Sequence, residues 1–182
     1  MLQDVNVLIV TSLGNVSLRV FPTKAPVTAG SFLRRVDAGQ FLGAAFYRTV
    51  RRDNDDTQQP IQVVQGGLMD LKDSFERLVH ESTQVTGLQH VDGTVSAARR
   101  EIGNATAASF FICVGDQPAL DFGGLRSPDG QGYAAFGLVI EGMDLIRRIH
   151  ALPTATDAPH PRLAGQMLAA PVPFLSVARV AR

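Results

Sequence analysis

Residue types that support metal, disulfide or covalent chemistry are scarce in this sequence. It has one cysteine, four histidines and no tryptophan among 182 residues. A single cysteine cannot form an internal disulfide, and Cys113 lies in an apolar segment, which favours a small buried side chain over a nucleophile. The histidines lie far apart without the close spacing of zinc motifs, so no metal site is expected. His80 and Glu81 could pair as acid and base, although a surface loop is the simpler interpretation.

An excess of either charge and a long apolar run are also absent. Seventeen Lys and Arg residues balance 17 Asp and Glu residues, without a basic stripe, which argues against a nucleic-acid partner. The apolar runs are shorter than the roughly 20 residues that a membrane span needs. The amino terminus has no cationic start followed by an apolar stretch, so no signal peptide is visible. We expect a cytoplasmic protein as the sequence stands, and a periplasmic one if a signal peptide was removed.

Short segments with strand-like patterns are abundant. The hydrophobic fraction of 45% is enough to bury the core of one domain spanning residues 1–182. Alternation is clearest where Val16, Leu18 and Val20 are separated by polar residues. Short connections favour antiparallel pairing, and closing the sheet would remove its exposed edges. The predicted strands are 5–11, 16–21, 46–50, 61–67, 94–98, 110–114, 135–140 and 174–180.

Two segments have helical spacing instead. In residues 27–38 apolar side chains recur on one face, Pro26 suits the first turn, and Gly39 suits the position after the last turn. A second helix is expected after Gly142. The sequence therefore predicts a mainly β fold, a closed eight-stranded antiparallel barrel with an α-helix over each end. The remaining segments are an irregular stretch at 68–90 with weak helical character at 74–79, a functional loop at 115–132 and a surface connection at 152–173.

The predicted strands 46–50 and 61–67 carry the most informative polar residues. Residues 51–60 between them are too polar for the core, so they should form a loop that lets the two strands pair. This pairing could place Arg48 and Gln65 side by side on one face, without an acid, base or nucleophile beside them. Hydrogen-bond donors alone suit a reaction in which no covalent bond is made or broken.

Motifs spread over nearly the whole chain, in a fixed order, resemble those of the cyclophilin-type peptidyl-prolyl isomerases, in their bacterial form. Each motif alone is weak, and their order on a matching pattern of strands and helices makes the resemblance specific. The motifs are Val16-Ser17-Leu18-Arg19-Val20-Phe21, Ala25-Pro26-Val27-Thr28-Ala29-Gly30-Ser31-Phe32, Phe46-Tyr47-Arg48, Val64-Gln65-Gly66-Gly67, Gly93-Thr94-Val95-Ser96-Ala97-Ala98, Ser109-Phe110-Phe111-Ile112-Cys113, Leu120-Asp121, Phe136-Gly137 and Glu141-Gly142-Met143.

The resemblance implies a reaction and a set of roles. Arg48 would be the catalytic donor that stabilises the twisted amide, and Gln65 would hold the substrate backbone. Phe111 would form the floor of a proline pocket. Its walls would be Val63, Leu120 and Tyr133, with Ala98 as a backbone contact. The resemblance implies no cofactor. Substrates would be proline-containing segments of client proteins, whose folding is assisted, and a monomer is expected.

The sequence departs from the family pattern around this pocket. The changes are Gln62-Val63 for Phe-Met, Ala119 for Trp or Phe, Ser109 for Gln, Arg99 for Asn, and Tyr133 for His, the last shared with bacterial members. A fully buried large side chain contributes roughly 1.5–3 kcal/mol, so losing apolar walls predicts weaker substrate binding. Cyclosporin-type inhibitors, which contact the missing Trp, should also bind poorly.

Two other functions stay open at this point. The chain could bind proline peptides without turning them over, as a binding or chaperone module on the same fold. A barrel could also carry a small apolar ligand inside. The dense inward-facing Val, Leu and Phe residues argue against such a cavity, since small barrels are commonly filled by side chains.

Overall fold

The computed structural model describes residues 3–69, 78–102, 104–157 and 163–181. Its strands are β1 (Val5–Thr11), β2 (Gly14–Val20), β3 (Ala45–Val50), β4 (Val63–Gly67), β5 (Thr94–Glu101), β6 (Asn104–Cys113), β7 (Ala134–Glu141) and β8 (Met167–Val180). Its helices are α1 (Pro26–Asp37), α2 (Thr83–Thr86) and α3 (Met143–His150). The strands close into a barrel in the order β1-β2-β7-β5-β6-β4-β3-β8, and every pairing is antiparallel. The predicted fold class is confirmed.

Large apolar side chains fill the inside of the barrel. Phe32, Phe46, Phe110 and Phe136 are fully buried. The ring of Phe32 lies 5.1 Å from that of Phe136 and 5.6 Å from that of Phe110. The predicted alternation of β2 is also confirmed, because its apolar residues are all buried: Val16, Leu18 and Val20.

Helix α1 packs on β6, β7 and β8 and buries the predicted apolar face. Pro26 lies in its first turn, where a missing N–H costs nothing, and Gly39 follows its end with a positive φ of 64°. The free N–H groups of the first turn are capped by a side chain that is distant in sequence. The backbone N–H groups of Val27 and Thr28 donate to the carboxylate of Glu81 at 2.9 and 2.8 Å. Glu81 is buried, so its interpretation as part of a surface loop is wrong.

Helix α3 packs against β2, β3 and β4, so the two predicted helices contact different parts of the barrel. Its carboxyl end is held by Arg51, whose Nη1 donates to the carbonyl oxygens of His150 and Leu152 at 3.2 and 3.1 Å. A cation is favourable at this end of a helix. Residues 51–60 form a loop, as predicted, and Arg51 ties the start of that loop to α3.

The structure corrects the predicted surface connection at 152–173, because β8 already begins at Met167. Prolines suggested an irregular segment, but their missing N–H groups are tolerated where a strand bulges. Strand β8 pairs first with β3 and then with β1, and the pairing with β3 is irregular between Met167 and Val172. Pro171 lies in that interval. β6 is likewise longer than the predicted strand 110–114.

The polar stretch at 68–90 contains a short helix that periodicity did not predict. Helix α2 is only four residues long and is followed by Gly87, whose φ is +69°. The weak helical character expected at 74–79 falls partly outside the described residues, and the described residues 78 and 79 are not helical. Within the part of the chain that the structure describes, no helix is long and apolar enough to cross a membrane.

Candidate active site

A pocket of about 130 Å³ lies on the outer face of β3, β4, β5 and β6, under the loop that leads to β7. All seven residues that the sequence singled out line it: Arg48, Val63, Gln65, Ala98, Phe111, Leu120 and Tyr133. Four further residues also line it: Val50, Ile61, Arg99 and Arg126. The structure therefore brings the predicted residues together, while their individual roles remain predictions.

Strand periodicity explains how one segment can serve both the core and the pocket. Successive side chains of a strand point to opposite faces. In β6, Phe110 and Ile112 point into the barrel interior, whereas Phe111 and Cys113 belong to a second apolar cluster on the outside. The other buried members of that outer cluster are Val50, Ile61, Val63 and Leu120. The ring of Tyr133 meets the Phe111 ring edge-on at 5.4 Å. The pocket floor is thus apolar and preformed.

Arg48 is held at one side of this floor by two amide oxygens. Its Nη1 donates to Oε1 of Gln65 at 2.9 Å. Its Nε and Nη2 both donate to Oε1 of Gln166, at 3.0 and 2.6 Å. Among the described residues, no carboxylate accepts a hydrogen bond from this guanidinium. Burial lowers the pKa of Arg48, and the nearby charge of Arg126 contributes in the same direction. Neutral partners orient the cation without cancelling its charge.

A second layer of hydrogen bonds holds the two glutamines in turn. Nε2 of Gln65 donates to Oγ of Ser109 at 2.9 Å, and the hydroxyl of Tyr47 lies 2.8 Å from the same oxygen. Burial raises the pKa of Tyr47, so it remains a neutral phenol. Nε2 of Gln166 donates to the carbonyl of Asn54 at 2.8 Å. Because each amide nitrogen has its own acceptor, each Oε1 is turned toward Arg48.

The Gln-Gly-Gly sequence at the end of β4 has a steric basis. A Cβ on Gly66 would lie 2.6 Å from Cδ1 of Phe46. A Cβ on Gly67, whose φ is +107°, would collide with the carbonyl oxygen of Ala108. Two glycines therefore let β4 approach β3 and β6 closely, which sets Gln65 opposite both Arg48 and Phe111.

A Ser-His-Asp arrangement lies beneath the floor, but it is sealed from substrate. His90 stacks on Phe111 with ring centroids 6.0 Å apart. Its Nδ1 is 2.7 Å from Oδ1 of Asp121, and its Nε2 is 3.0 Å from Oγ of Ser96. His90 is 1% exposed and Ser96 is fully buried. A nucleophile without access to its substrate cannot react, so this network supports Phe111 rather than acting on a ligand.

The rim of the pocket is fixed by Arg99. Its two terminal nitrogens donate to the two carboxylate oxygens of Asp129, each at 2.9 Å, and its Nε donates to the carbonyl of Gly132 at 2.7 Å. Its guanidinium also lies 5.1 Å from the centre of the Tyr133 ring. The hydrogen bond from Arg99 is the main reason why the pKa of Asp129 is lowered. The cation expected near the groove is therefore paired with a carboxylate.

Comparisons with known proteins agree with this geometry. Residues 6–167 match the family model described as cyclophilin type peptidyl-prolyl cis-trans isomerase/CLD. This chain belongs to the cyclophilin-type isomerase family. Peptidyl-prolyl cis-trans isomerase A of Dickeya dadantii is 32% identical over 157 residues, 85% of this chain and 76% of that protein. A peptidyl-prolyl cis-trans isomerase of Acinetobacter baylyi is 30% identical over 169 residues, 92% of this chain and 81% of that protein.

Solved structures show the same fold. The crystal structure of a cyclophilin type peptidyl-prolyl cis-trans isomerase of Cryptosporidium parvum superposes with a TM-score of 0.71 at 16% identity, covering 99% of each chain. A second structure of that protein, in the presence of the dipeptide Ala-Pro, gives a TM-score of 0.70 at 16% identity, covering 97% of this chain and 99% of that one. This likeness shows the fold, and the family model and the bacterial relatives show the family.

Within this family setting, sequence reasoning missed four contributors to the pocket. Val50 and Ile61 flank the loop 51–60 and add apolar surface to the pocket. Arg126 lies in the predicted functional loop, whose glycines and prolines indicate a loop but do not indicate a role for this charge. Gln166 lies in the segment 152–173, for which the sequence predicts a surface connection. Their only sequence signal was proximity to the ends of pocket strands.

Proposed function

We propose that this chain catalyses cis–trans rotation about X-Pro peptide bonds in exposed proline-containing segments of other proteins. The observation that carries the proposal is the position of Arg48. Its guanidinium is fixed by Gln65 and Gln166 at the edge of an apolar pocket, and its charge is not cancelled there. The family membership of the chain supports the same reaction.

The reaction needs a donor rather than an acid, base or nucleophile. Amide resonance creates a rotational barrier of about 18–20 kcal/mol, and an uncatalysed X-Pro bond takes tens to hundreds of seconds to rotate. In the twisted transition state the proline nitrogen regains a lone pair that can accept a hydrogen bond. A donor that meets this lone pair binds the transition state better than either planar ground state, which is the requirement for catalysis.

Arg48 has donors left for this task. A guanidinium has five N–H groups, and the bonds to the two glutamines use one on each of the three nitrogens. Each terminal nitrogen therefore keeps one N–H for a substrate. Because the guanidinium is already oriented, little reorganisation is required when the amide twists.

We assign the other lining residues to binding. The proline ring would lie on Phe111 between Val63, Leu120 and Tyr133, while Gln65 and the backbone of Ala98 would hold the peptide. All of these residues come from one chain, so the site needs no second copy, and we propose a monomer. Helping client proteins to fold is the role that such an activity would serve.

A binding module without turnover is the second candidate. The observation that favours it is the small size of the pocket, about 130 Å³, and the resemblance adds that Val63 and Ala119 stand where the family pattern has larger side chains. An apolar ligand inside the barrel has less support, because phenylalanine rings occupy that space.

NMR exchange spectroscopy on a set of X-Pro peptides separates these candidates. Wild type should speed cis–trans exchange, and Arg48→Ala should lose roughly a hundredfold of that rate, as expected for removing a transition-state donor. Arg19→Ala on the exposed face of β2 is the matched control and should keep the full rate. Peptide peaks that shift without faster exchange would show a binding module instead.

A further inference from the structure

A buried ion pair joins two loops at the mouth of the pocket. Asp55 belongs to the loop 51–60 between β3 and β4, and Arg126 belongs to the loop between β6 and β7. Nη1 of Arg126 lies 3.0 and 2.7 Å from the two carboxylate oxygens of Asp55. The same nitrogen donates to the carbonyl of Gln59 at 2.9 Å and to the hydroxyl of Thr57. The two charged side chains are only 13% and 1% exposed.

Asp55 also fixes the wall beside Arg126. Its Oδ2 accepts a hydrogen bond from the backbone N–H of Ile61 at 2.9 Å, and Ile61 lines the pocket. Burial opposes ionisation of this carboxyl, but the Ile61 N–H, Arg126 and Thr57 together hold its pKa below the usual value. One carboxylate therefore organises two pocket-lining residues from two different loops.

The guanidinium of Arg126 is anchored on one side only. Among the described residues, all of its hydrogen bonds are made by Nη1, and neither Nε nor Nη2 donates to any of them. The residue nevertheless lines the same pocket as Arg48 and Phe111. A side chain held at one nitrogen presents its remaining donors in a fixed position, which reduces the entropy lost on binding.

The pair lies close to the proposed catalytic group without adding net charge beside it. Arg126 acts to lower the pKa of Arg48, and Asp55 acts to raise it. Asp55 thus allows a second guanidinium to stand near Arg48. Arg99 differs from Arg126 in this respect, because the Nε of Arg99 already donates to the carbonyl of Gly132.

We propose that Arg126 is a further substrate-binding residue, which donates from Nε and Nη2 to a backbone carbonyl oxygen of the peptide next to the bound proline. This inference rests on the proposed isomerase function. The contact would compensate in part for the aromatic wall that is absent at Ala119. It is made to the planar ground state and to the twisted state alike, so it affects affinity rather than the chemical step.

Arg126→Lys separates this contact from the ion pair. Lysine keeps a cation for Asp55 but lacks the Nε and Nη2 donors. We expect the KM for an X-Pro peptide to rise about tenfold, as for losing a charge-assisted hydrogen bond, with kcat and the unfolding midpoint close to wild type. Asp55→Asn is the complementary variant. It weakens the ion pair while keeping the guanidinium, so it should lower stability and raise KM less.

The same measurements contain the results that would overturn the proposal. An unchanged KM in Arg126→Lys would do so. An equal rise in KM together with an equal loss of stability in both variants would also do so, because it would show a purely structural ion pair. Wild type and Arg48→Ala are measured alongside, so a failure of the isomerase function itself is recognised separately.

A measurement on the wild-type protein does not depend on either variant folding. The 15Nε–1Hε signal of Arg126 should shift when an X-Pro peptide is added. The matching signal of Arg99, whose Nε already has an acceptor, should stay in place. An Arg126 signal that does not move at saturating peptide would overturn the assignment.

Discussion

Arg48 and Gln65 face each other as register partners across β3 and β4, and Nη1 of the arginine donates to Oε1 of the glutamine at 2.9 Å. The β-bulge between Phe46 and Arg48 changes the register at this point. A bulge re-aims the side chains that follow it. The local irregularity therefore coincides with the residue that the proposed chemistry depends on.

Gln166 should matter for turnover although the sequence predicts a surface connection at its position. In Gln166→Ala, Nε and Nη2 of Arg48 lose their shared acceptor, and the guanidinium gains freedom. We expect kcat to fall about tenfold, since misplacing a catalytic group by a small distance has effects of this order or larger. Gln166→Glu should hold the guanidinium but also lower kcat, because a carboxylate offsets its charge. Exchange spectroscopy measures both, and wild-type rates in both variants would contradict the role.

Phe110 and Phe111 offer a matched pair of substitutions on adjacent positions of β6. Phe110→Leu changes the barrel core and should cost about 1–2 kcal/mol of stability, with little effect on peptide affinity. Phe111→Leu changes the pocket floor and should raise KM several-fold with a smaller loss of stability. Urea unfolding and peptide titration measure the two effects. A reversed order would show that Phe111 is an ordinary core residue.

Glu81 should contribute to stability through α1. It is buried and caps the first turn of the helix from 53 and 54 residues away in sequence, and the hydroxyl of Thr28 also donates to it at 2.7 Å. Removing such a cap costs typically about 1 kcal/mol, and more when buried N–H groups lose their only acceptor. We expect Glu81→Ala to lower the unfolding free energy by about 2 kcal/mol. Glu81→Gln, which keeps one acceptor oxygen, should lose less.

His150 should make stability depend on pH below neutrality. Burial lowers the pKa of His150 and outweighs the opposing effect of the contact, at 2.8 Å, between its Nε2 and the carbonyl oxygen of Val50. The folded state therefore favours the neutral ring. This contribution is complete above the unfolded pKa of about 6.5 and is lost as the pH falls below that value.

The matching variant is His150→Gln, which can still donate to Val50. Between pH 7.5 and 5, the urea midpoint of wild type should fall further than that of the variant. The other histidines are common to both proteins, so they cancel in the difference. Parallel midpoints for the two proteins would rule out His150 as the group responsible.

Local patterns predicted the fold because each of them has a direct physical cause. Alternation in β2, helical spacing in α1 and the loop between β3 and β4 reflect which side chains are buried. Long-range features were not predictable in this way. The capping of α1 by Glu81 and the early start of β8 both depend on partners that are distant in sequence.

The candidate site also combines features that local patterns predict with features that depend on long-range contacts. Arg48, Gln65 and Phe111 lie on strands whose pairing follows from short connections, so their proximity could be predicted, and the resemblance suggested their roles. Arg126 and Gln166 come from loops and strand ends, where no periodicity fixes direction. Their position depends on individual hydrogen bonds to Asp55 and Asn54, which no local sequence pattern specifies.

The pairing of β8 with both β1 and β3 has a consequence for synthesis on the ribosome. Until residues 167–180 have emerged, the growing chain has two unpaired strand edges, one on β1 and one on β3. The barrel therefore cannot close before β8 has been synthesised. Until then, the two unpaired strand edges remain open to pairing with other chains.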